Sequence, residues 1–520
     1  MEFIAQVFSS FALLLDPVIL FYVVAGFVIG TIFSAIPGLT ATLALALLLP
    51  LTYSLDVTTA LMACASIYMA GMCGGSITAT TINIPGAPSS MMTALEGYPM
   101  QQRGEGALAL GHASFGSMIG GSLGALLLIV LAPFIAEASL LVKTTGKCAL
   151  IAFALIVIVV AQRGNIRKAG ITACLGLMLA TVGLDAMQPL ARFTFGISEL
   201  TAGIDLMPVI IGTFAISELL IQVGNRKKDA AIRQQLKASK QLKRRDFIPP
   251  LSAIREIGLG CYLKSTLIGY MVGTLPGAGG SMGGFLAYVE TVRTSKKPES
   301  FGKGNPQGIA AAESANNAVC GGALVPMLTF GIPGDPVTAI VLGVLVINGI
   351  QPGPQLMASQ SGLIAPMLAS LLFSALILIP LTLYLMGPYF LRIVTIRKDV
   401  LYGAIALLAV VGSFVATYSV FQMMMTLVLG IVAYLMRKHD YPVITLLLGF
   451  ILGPNLEEFL RRALTLSNGN PMTFITTPDS LFFVVLTVVF VYFLGIRKPV
   501  QLKQADPKTQ SQPLKGQVGK

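Results

Sequence analysis

Long apolar runs separated by short polar stretches extend along almost the whole chain. A helix of about 20 apolar residues crosses the roughly 30 Å of hydrocarbon in a bilayer. The pattern therefore predicts membrane-spanning helices at residues 11–36, 108–135, 148–161, 169–187, 204–223, 257–275, 363–391, 400–417, 420–436 and 481–496. The runs at 41–51, 60–72 and 445–452 are shorter, and they predict half-helices or re-entrant segments.

The composition excludes an ordinary soluble enzyme. Of the 520 residues, 55% are hydrophobic and only 11% are charged, and the mean hydropathy is +0.80. We expect an all-α polytopic integral membrane protein in a lipid bilayer, with about 12 membrane segments. The six cysteines and two histidines have no metal-ligand spacing. We therefore expect no metal site and no cofactor.

Positive charge divides the chain into regions. The first Lys or Arg is Arg103, whereas residues 226–245 carry nine and residues 497–520 carry six. Basic loops stay on the cytoplasmic side, so we expect a cytoplasmic linker and tail and an N-terminus on the opposite side. The predicted regions are a first transmembrane repeat at 1–223, the linker at 224–257, a second repeat at 258–496 and the tail at 497–520. A linker of this kind sets topology, and we expect no nucleic-acid partner.

Two pairs of Pro-Gly motifs reveal an internal repeat. Residues 29–42, "IGTIFSAIPGLTAT", resemble residues 268–281, "IGYMVGTLPGAGGS", and each places a hydroxyl five positions after its proline, at Thr42 and Ser281. The stretch "CGGSITATTINIPGAPSS" from Cys73 resembles "CGGALVPMLTFGIPGDPVT" from Cys320, with one extra residue in the second copy. Two paired motifs in the same order indicate a duplication.

The charge distribution predicts that the two copies enter the membrane from opposite faces. Such inverted-topology repeats with broken or re-entrant helices are typical of secondary transporters. Parallel repeats, or glycine and proline residues retained for helix packing, are the alternatives.

Each Ile-Pro-Gly motif is expected to be a loop that leads into a helix N-terminus. Pro88 and Pro336 suit a first helical turn, and Asp335 is a good N-cap. Helix N-termini bind anions without Lys or Arg, whereas hydroxyls and free carbonyls there can instead bind Na⁺. The predicted substrate-binding residues are Asn83, Pro85, Gly86, Ser89, Ser90, Thr93, Asn316, Asn317, Pro333, Gly334 and Thr338. The predicted cation-binding residues are Thr42, Ser281, Glu313 and Asp335.

Glu313, Asn316 and Asn317 share one helical face, because they are spaced i, i+3 and i+4. A polar face within an apolar region predicts cation coordination or substrate binding. The alternative is a helix end that faces water. Five other acidic residues are expected to cap helices or to lie in loops: Asp16, Asp56, Glu96, Asp185 and Asp205.

Four long segments resemble the large integral membrane subunit of the tripartite tricarboxylate transporters, the TctA type. They are "IPGLTATLALALLLPL", "GGSITATTINIPGAPSSMMTALEGYPM", "LPGAGGSMGGFLAYVE" and "AAAESANNAVCGGALVPMLTFGIPGDPVTAIVLG". The resemblance implies a bacterial inner-membrane permease that works with a small integral membrane subunit and a periplasmic solute-binding protein. It also implies import of a citrate-like tri- or dicarboxylate driven by a Na⁺ or H⁺ gradient. Ala87 stands in the first copy where the second has Asp335.

Two other functions remain open. A stand-alone carboxylate symporter would need neither partner subunit. The sequence "GIPGDP" superficially resembles the Gly-x-Gly-Asp pattern of intramembrane aspartyl proteases, but the match fails, because both Ile332 and Pro333 separate the two glycines before Asp335. We therefore expect a transporter and not an enzyme.

Overall fold

The computed structural model describes residues 2–162, 164–185, 187–188, 190–224, 243–353, 356, 360–390 and 398–492. Its first half contains helices α1 (Glu2–Ser9), α2 (Pro17–Ala35), α3 (Ala41–Leu48), α4 (Val57–Ile82), α5 (Met91–Gln102), α6 (Gly106–Leu140), α7 (Thr144–Ala161), α8 (Ile166–Ala180), α9 (Leu206–Ile210) and α10 (Ser217–Gly224). Between α8 and α9, strands β1 (Gly183–Leu184) and β2 (Ala191–Arg192) pair antiparallel.

The second half contains α11 (Leu251–Ile257), α12 (Leu259–Gly273), α13 (Gly279–Thr294), α14 (Pro306–Phe330), α15 (Pro336–Ile347), α16 (Ser361–Phe373), α17 (Ile379–Met386), α18 (Lys398–Thr417), α19 (Val420–Lys438), α20 (Val443–Leu466), α21 (Thr473–Thr476) and α22 (Pro478–Phe490). Short π-helical segments join α9 to α10 and α16 to α17. The predicted linker is described only at 224 and 243–257, and the predicted tail lies outside the described residues.

The protein is mostly helical, which confirms the predicted helical class. Within the described ranges, eight helices are long and apolar enough to cross a membrane, and five shorter apolar helices accompany them. The count of about 12 segments stays a prediction. The half-helix interpretation of 60–72 and 445–452 is wrong, because both lie inside longer helices, α4 and α20. Gly, Ser and Thr residues after 72, and Gly, Pro, Asn and Glu residues after 452, lower the local hydropathy but continue the helix.

Helices α4 and α14 form the centre of the molecule. Of the 18 consecutive residues that form the most apolar part of α4, 89% are buried, although their mean hydropathy is lower than that of the other spanning helices. Residues 308–329 of α14 are all buried. Small side chains on both helices allow neighbouring backbones to approach closely, as is common in membrane proteins.

The contacts of matching glycines repeat in the two halves. A Cβ on Gly30 would lie 2.7 Å from the carbonyl oxygen of Ile67, and a Cβ on Gly269 would lie 2.1 Å from that of Ala315. Ile67 of α4 therefore corresponds to Ala315 of α14. The same spacing along the two helices pairs residue 74 with residue 322 and Cys73 with Gly321. The alignment of Cys73 with Cys320 is therefore wrong by one position. The extra residue of the second copy comes before the repeated segment and does not lie inside it.

Candidate functional site

The four Pro-Gly breaks converge on one cavity of about 560 Å³. Residues 40–43, 87–89, 277–281 and 335–337 line it, and each range immediately follows one of the breaks. Gly38 and Gly277, the glycines of the first pair of motifs, have φ values of +87° and +79°, which a residue with a side chain rarely adopts. The breaks therefore turn the chain at equivalent places in both halves.

At the second Ile-Pro-Gly break, Asp335 caps the N-terminus of α15, as predicted. Its Oδ1 accepts hydrogen bonds from the backbone N–H of Thr338 at 2.8 Å and from the Thr338 hydroxyl at 3.0 Å. Its Oδ2 accepts a hydrogen bond from the Tyr68 hydroxyl. Asp335 is only 4% exposed, so these donors replace the water that a carboxylate would otherwise bind.

The first Ile-Pro-Gly break has no such cap. Pro88–Ser90 forms a 3₁₀ turn that continues directly into α5, and no side chain caps it. The N–H of Ser90 bonds instead to the carbonyl of Ala87 at 3.0 Å. The Ser89 and Ser90 hydroxyls are buried, and neither has a hydrogen-bond partner among the described residues.

The polar face of α14 is fully buried, so the alternative of a water-facing helix end is wrong. Glu313, Asn316 and Asn317 are each 0% exposed. The Glu313 carboxylate accepts hydrogen bonds from the Thr93 hydroxyl and, at 3.0 Å, from the Ser117 hydroxyl.

The two asparagines of this face donate to backbone carbonyls of α4. Asn316 donates to Met72 at 2.7 Å, and Asn317 donates to Met69 at 3.2 Å. Their Oδ1 atoms have no partner within the described part of the chain. The described residues also include no group of three or more His, Cys, Asp or Glu side chains suited to a metal ion.

The predicted site residues occupy two layers. Thr42, Ser89, Ser281 and Asp335 line the cavity. The others lie behind that lining or form its loops: Asn83, Pro85, Gly86, Ser90, Thr93, Glu313, Asn316, Asn317, Pro333, Gly334 and Thr338. Asn83 ends α4 in a left-handed conformation at φ 57°, and Gly331 does the same for α14 at 69°.

A charged pair at the cavity was missed by sequence reasoning. Arg437 and Glu218 line it and form an ion pair at 2.5 Å. Gln222 donates to Glu218 at 2.7 Å and to the carbonyl of Gly38 at 3.0 Å, which connects the pair to the first break. In the sequence, each of these two charges lies near the end of an apolar run. That pattern does not predict which charges pair, because pairing depends on helix packing.

The expectation for Glu96 is wrong, because this residue neither caps a helix nor lies in a loop. It lies inside α5 and is 0% exposed. Its carboxylate accepts hydrogen bonds from the Tyr288 hydroxyl at 2.7 Å and from the backbone N–H groups of Gly302, Gly304 and Asn305 at 2.6, 2.8 and 2.7 Å. Glu96 thus holds the loop between α13 and α14 against the first half of the protein.

Apolar spanning helices with interrupted helices arranged around a cavity define a multi-pass membrane protein. The chain belongs to the tripartite tricarboxylate transporter TctA family, which matches residues 20–448. This confirms the resemblance to that family and favours transport over proteolysis, because the family is one of transporters.

Two proteins of Agrobacterium vitis are similar to this chain. The "Uncharacterized 52.8 kDa protein in TAR-I ttuC' 3'region" is 35% identical over 478 residues, which cover 92% of this chain and 93% of that protein. The "Uncharacterized protein in TAR-II ttuC' 3'region" is 38% identical over 210 residues, which cover 40% of this chain and 86% of that protein. No solved structure matches the chain.

Proposed function

We propose that this chain is the permease subunit of a binding-protein-dependent secondary transporter in the bacterial inner membrane. It imports citrate-like tri- or dicarboxylates and is driven by a Na⁺ or H⁺ gradient. Its partners are a small integral membrane subunit and a periplasmic solute-binding protein. The observation that carries the proposal is the cavity at which four helix breaks converge, since broken helices offer backbone donors and acceptors to a substrate and an ion.

Helix directions support an inverted repeat. Ser370 and Ser374, in the Ser361–Tyr389 helix, donate to Met62 and Ser66 of α4, so these two helices run parallel. Gly120 and Gly124 of α6 approach Ser314 and Ala318 of α14, so this pair is parallel as well.

The relation between the two pairs comes from contacts of α6 with the Ser361–Tyr389 helix. Gly111 and Gly387 both approach Phe247, and Gly121 approaches Ala375, so these two helices run antiparallel. It follows that α4 and α14 have opposite directions, which favours inverted over parallel repeats.

The position of the basic linker supports a cavity that opens to the cytoplasm. Arg437 at the cavity pairs with Glu218 in the first turn of α10, the short helix that leads into the linker. Lys168 donates to the carbonyl of His439 at 2.7 Å, so other basic residues gather on the same side. The positive-inside rule assigns that side to the cytoplasm, and the N-terminus to the periplasm.

The charge of the lining supports coupling to a cation. Glu218, Asp335 and Asp440 contribute three carboxyl groups to the cavity, against the single guanidinium of Arg437. An anion alone would meet net repulsion there, so a cation bound nearby would favour its entry. Glu313 lies behind the lining, and no described cationic side chain forms an ion pair with it.

Transport by reconstituted vesicles tests the function. We expect uptake of labelled citrate or succinate only when the chain, the small membrane subunit and the binding protein are all present, with an inward Na⁺ or H⁺ gradient. Glu313→Gln should abolish gradient-driven accumulation, whereas Glu105→Gln, at an exposed ion pair, should leave it unchanged.

Two outcomes would contradict the proposal in different ways. Gradient-driven uptake by the chain alone would identify a stand-alone symporter. Absence of uptake for every tri- and dicarboxylate tested with all three components would exclude carboxylate transport.

A further inference from the structure

The two Ile-Pro-Gly breaks both place an extended N-cap residue before a proline, but the side chain of that N-cap residue differs. In the register of the repeat, Ala87 corresponds to Asp335, and Ser90 corresponds to Thr338. Ala87 has φ −126° and ψ 152°, and Asp335 has φ −152° and ψ 176°, so both are extended N-cap residues followed by a proline. A carboxylate carried by residue 87 would therefore point toward the first turn as that of Asp335 does.

The second half supplies its own carboxylate to the helix start. The Asp335 carboxylate satisfies the N–H and the hydroxyl of Thr338, and α15 begins as a regular α-helix. This is the arrangement that an anion at a helix N-terminus adopts.

The first half has a helix start at the corresponding position, but no side chain supplies a carboxylate to it. Its first turn is tightened into a 3₁₀ turn, which is how a helix start without a cap satisfies its donors. Ser89 is 7% exposed and Ser90 is 0% exposed, and the hydroxyl of neither residue has a partner in the described structure. Two buried hydroxyls without partners are costly unless a ligand satisfies them.

Space beside the first turn differs between the halves. A Cβ on Gly75 would lie 2.6 Å from the Ser90 hydroxyl oxygen and 3.0 Å from the Ala87 nitrogen, so a side chain at residue 75 would press on both groups. In the second half the corresponding residue is Ala323, whose Cβ would lie 2.7 Å from a Cβ on Gly334. Ala87, Pro88 and Ser89 line the cavity, which gives a ligand access to the turn.

We propose that one carboxylate of the transported acid binds at Ala87–Ser90, in the place that the side chain of Asp335 occupies in the other half. This inference rests on the proposed function and deepens it: the first half binds the substrate anion, whereas the second half is closed to it by its own Asp335. The Ser89 and Ser90 hydroxyls donate to the bound carboxylate.

Built-in caps test the proposal. The purified full-length chain carrying Ala87→Asp or Ala87→Asn should bind labelled citrate at least about tenfold more weakly than the original chain. Each cap should also raise the melting temperature without citrate and remove the further rise that citrate causes, because the site is already filled. Ala87→Asn distinguishes occupation of the site by a side chain from charge repulsion of citrate, because asparagine caps the helix without a charge.

Ser90→Ala provides a second measurement that does not depend on tolerance of a larger side chain. Its hydroxyl has no partner among the described residues, so the melting temperature without citrate should not fall, whereas citrate binding should weaken about tenfold. Normal citrate binding by Ala87→Asn or by Ser90→Ala would overturn the inference while leaving the proposed function intact. If the original chain binds neither citrate nor succinate and the three-component vesicles take up neither, it is the proposed function that fails.

Discussion

The hydroxyl of Tyr68, in the middle of α4, donates a hydrogen bond to the carboxylate of Asp335 at the start of α15. Both residues are buried, and they belong to different halves of the protein. The bond therefore connects a central helix of the first half to the broken helix of the second half, directly at the cavity.

Removing this donor should destabilise the protein. Tyr68→Phe leaves Oδ2 of Asp335 buried without its hydroxyl partner, and we expect a loss of about 1–3 kcal/mol in the free energy of unfolding. Thermal unfolding of the purified protein measures the change. The same substitution at the partly exposed Tyr22 is the matched control and should change stability by less than about 0.5 kcal/mol. Equal effects at both positions would contradict a structural role for the bond.

Close packing of α6 against α14 should make Gly120 intolerant of a side chain. A Cβ there would lie 1.9 Å from the carbonyl oxygen of Ser314, so the two helices would have to separate. We expect Gly120→Ala to cost about 1–3 kcal/mol or more. In contrast, a Cβ on Gly170 of α8 meets nothing within 4 Å, and Gly170→Ala should stabilise the protein by about 0.5–1 kcal/mol. Equal unfolding free energies for the two variants would contradict this account of the packing.

Glu96 should control the order of the loop between α13 and α14. Glu96→Ala removes a carboxylate that accepts four hydrogen bonds, and we expect a loss of about 3 kcal/mol or more together with faster tryptic cleavage at the exposed Lys303. Limited proteolysis followed by mass spectrometry locates the cut. Glu458→Ala disrupts only an exposed ion pair with Arg462 within α20 and should leave the cleavage rate unchanged. A loop that resists trypsin equally in both variants would show that Glu96 does not hold it.

The ion pairs of Asp185 predict a stability change in acid. The hydrogen bond from Arg461 lowers the pKa of Asp185 from its ordinary 3.8 to about 2. Because the folded state favours the ionised form, its contribution is complete above pH 3.8 and is lost as the pH falls toward 2. The melting temperature should therefore fall more steeply between pH 4 and 2 in the original protein than in Asp185→Asn. Parallel curves for the two proteins would rule out this contribution.

Local pattern was sufficient for much of the architecture. Apolar run lengths predict the long helices, because the hydrocarbon thickness fixes how many residues a span needs. The Pro-Gly motifs predict the breaks, and the side-chain chemistry of Asp335 before Pro336 predicts its cap, because both are short-range effects. The spacing of Glu313, Asn316 and Asn317 predicts their shared face.

Packing between distant segments decided the rest. The partners of Tyr68, Glu96 and Glu218 lie far away in sequence, and no local pattern specifies which hydrogen-bond donor reaches a buried carboxylate. The depth of Asn316 also depends on the neighbouring helix α4, to whose carbonyl it donates.

The contrast between Ala87 and Asp335 shows both contributions. The order of the amino acids is enough to show that one Ile-Pro-Gly motif carries a carboxylate at this position and that the other does not. The packing of the helices shows in addition that the carboxylate bonds to its own helix start, whereas the equivalent turn at Ser90 is buried beside the cavity and its hydroxyl has no partner among the described residues. The physical reason is that a side chain's chemistry is fixed locally, but its remaining hydrogen-bonding capacity depends on every segment packed around it.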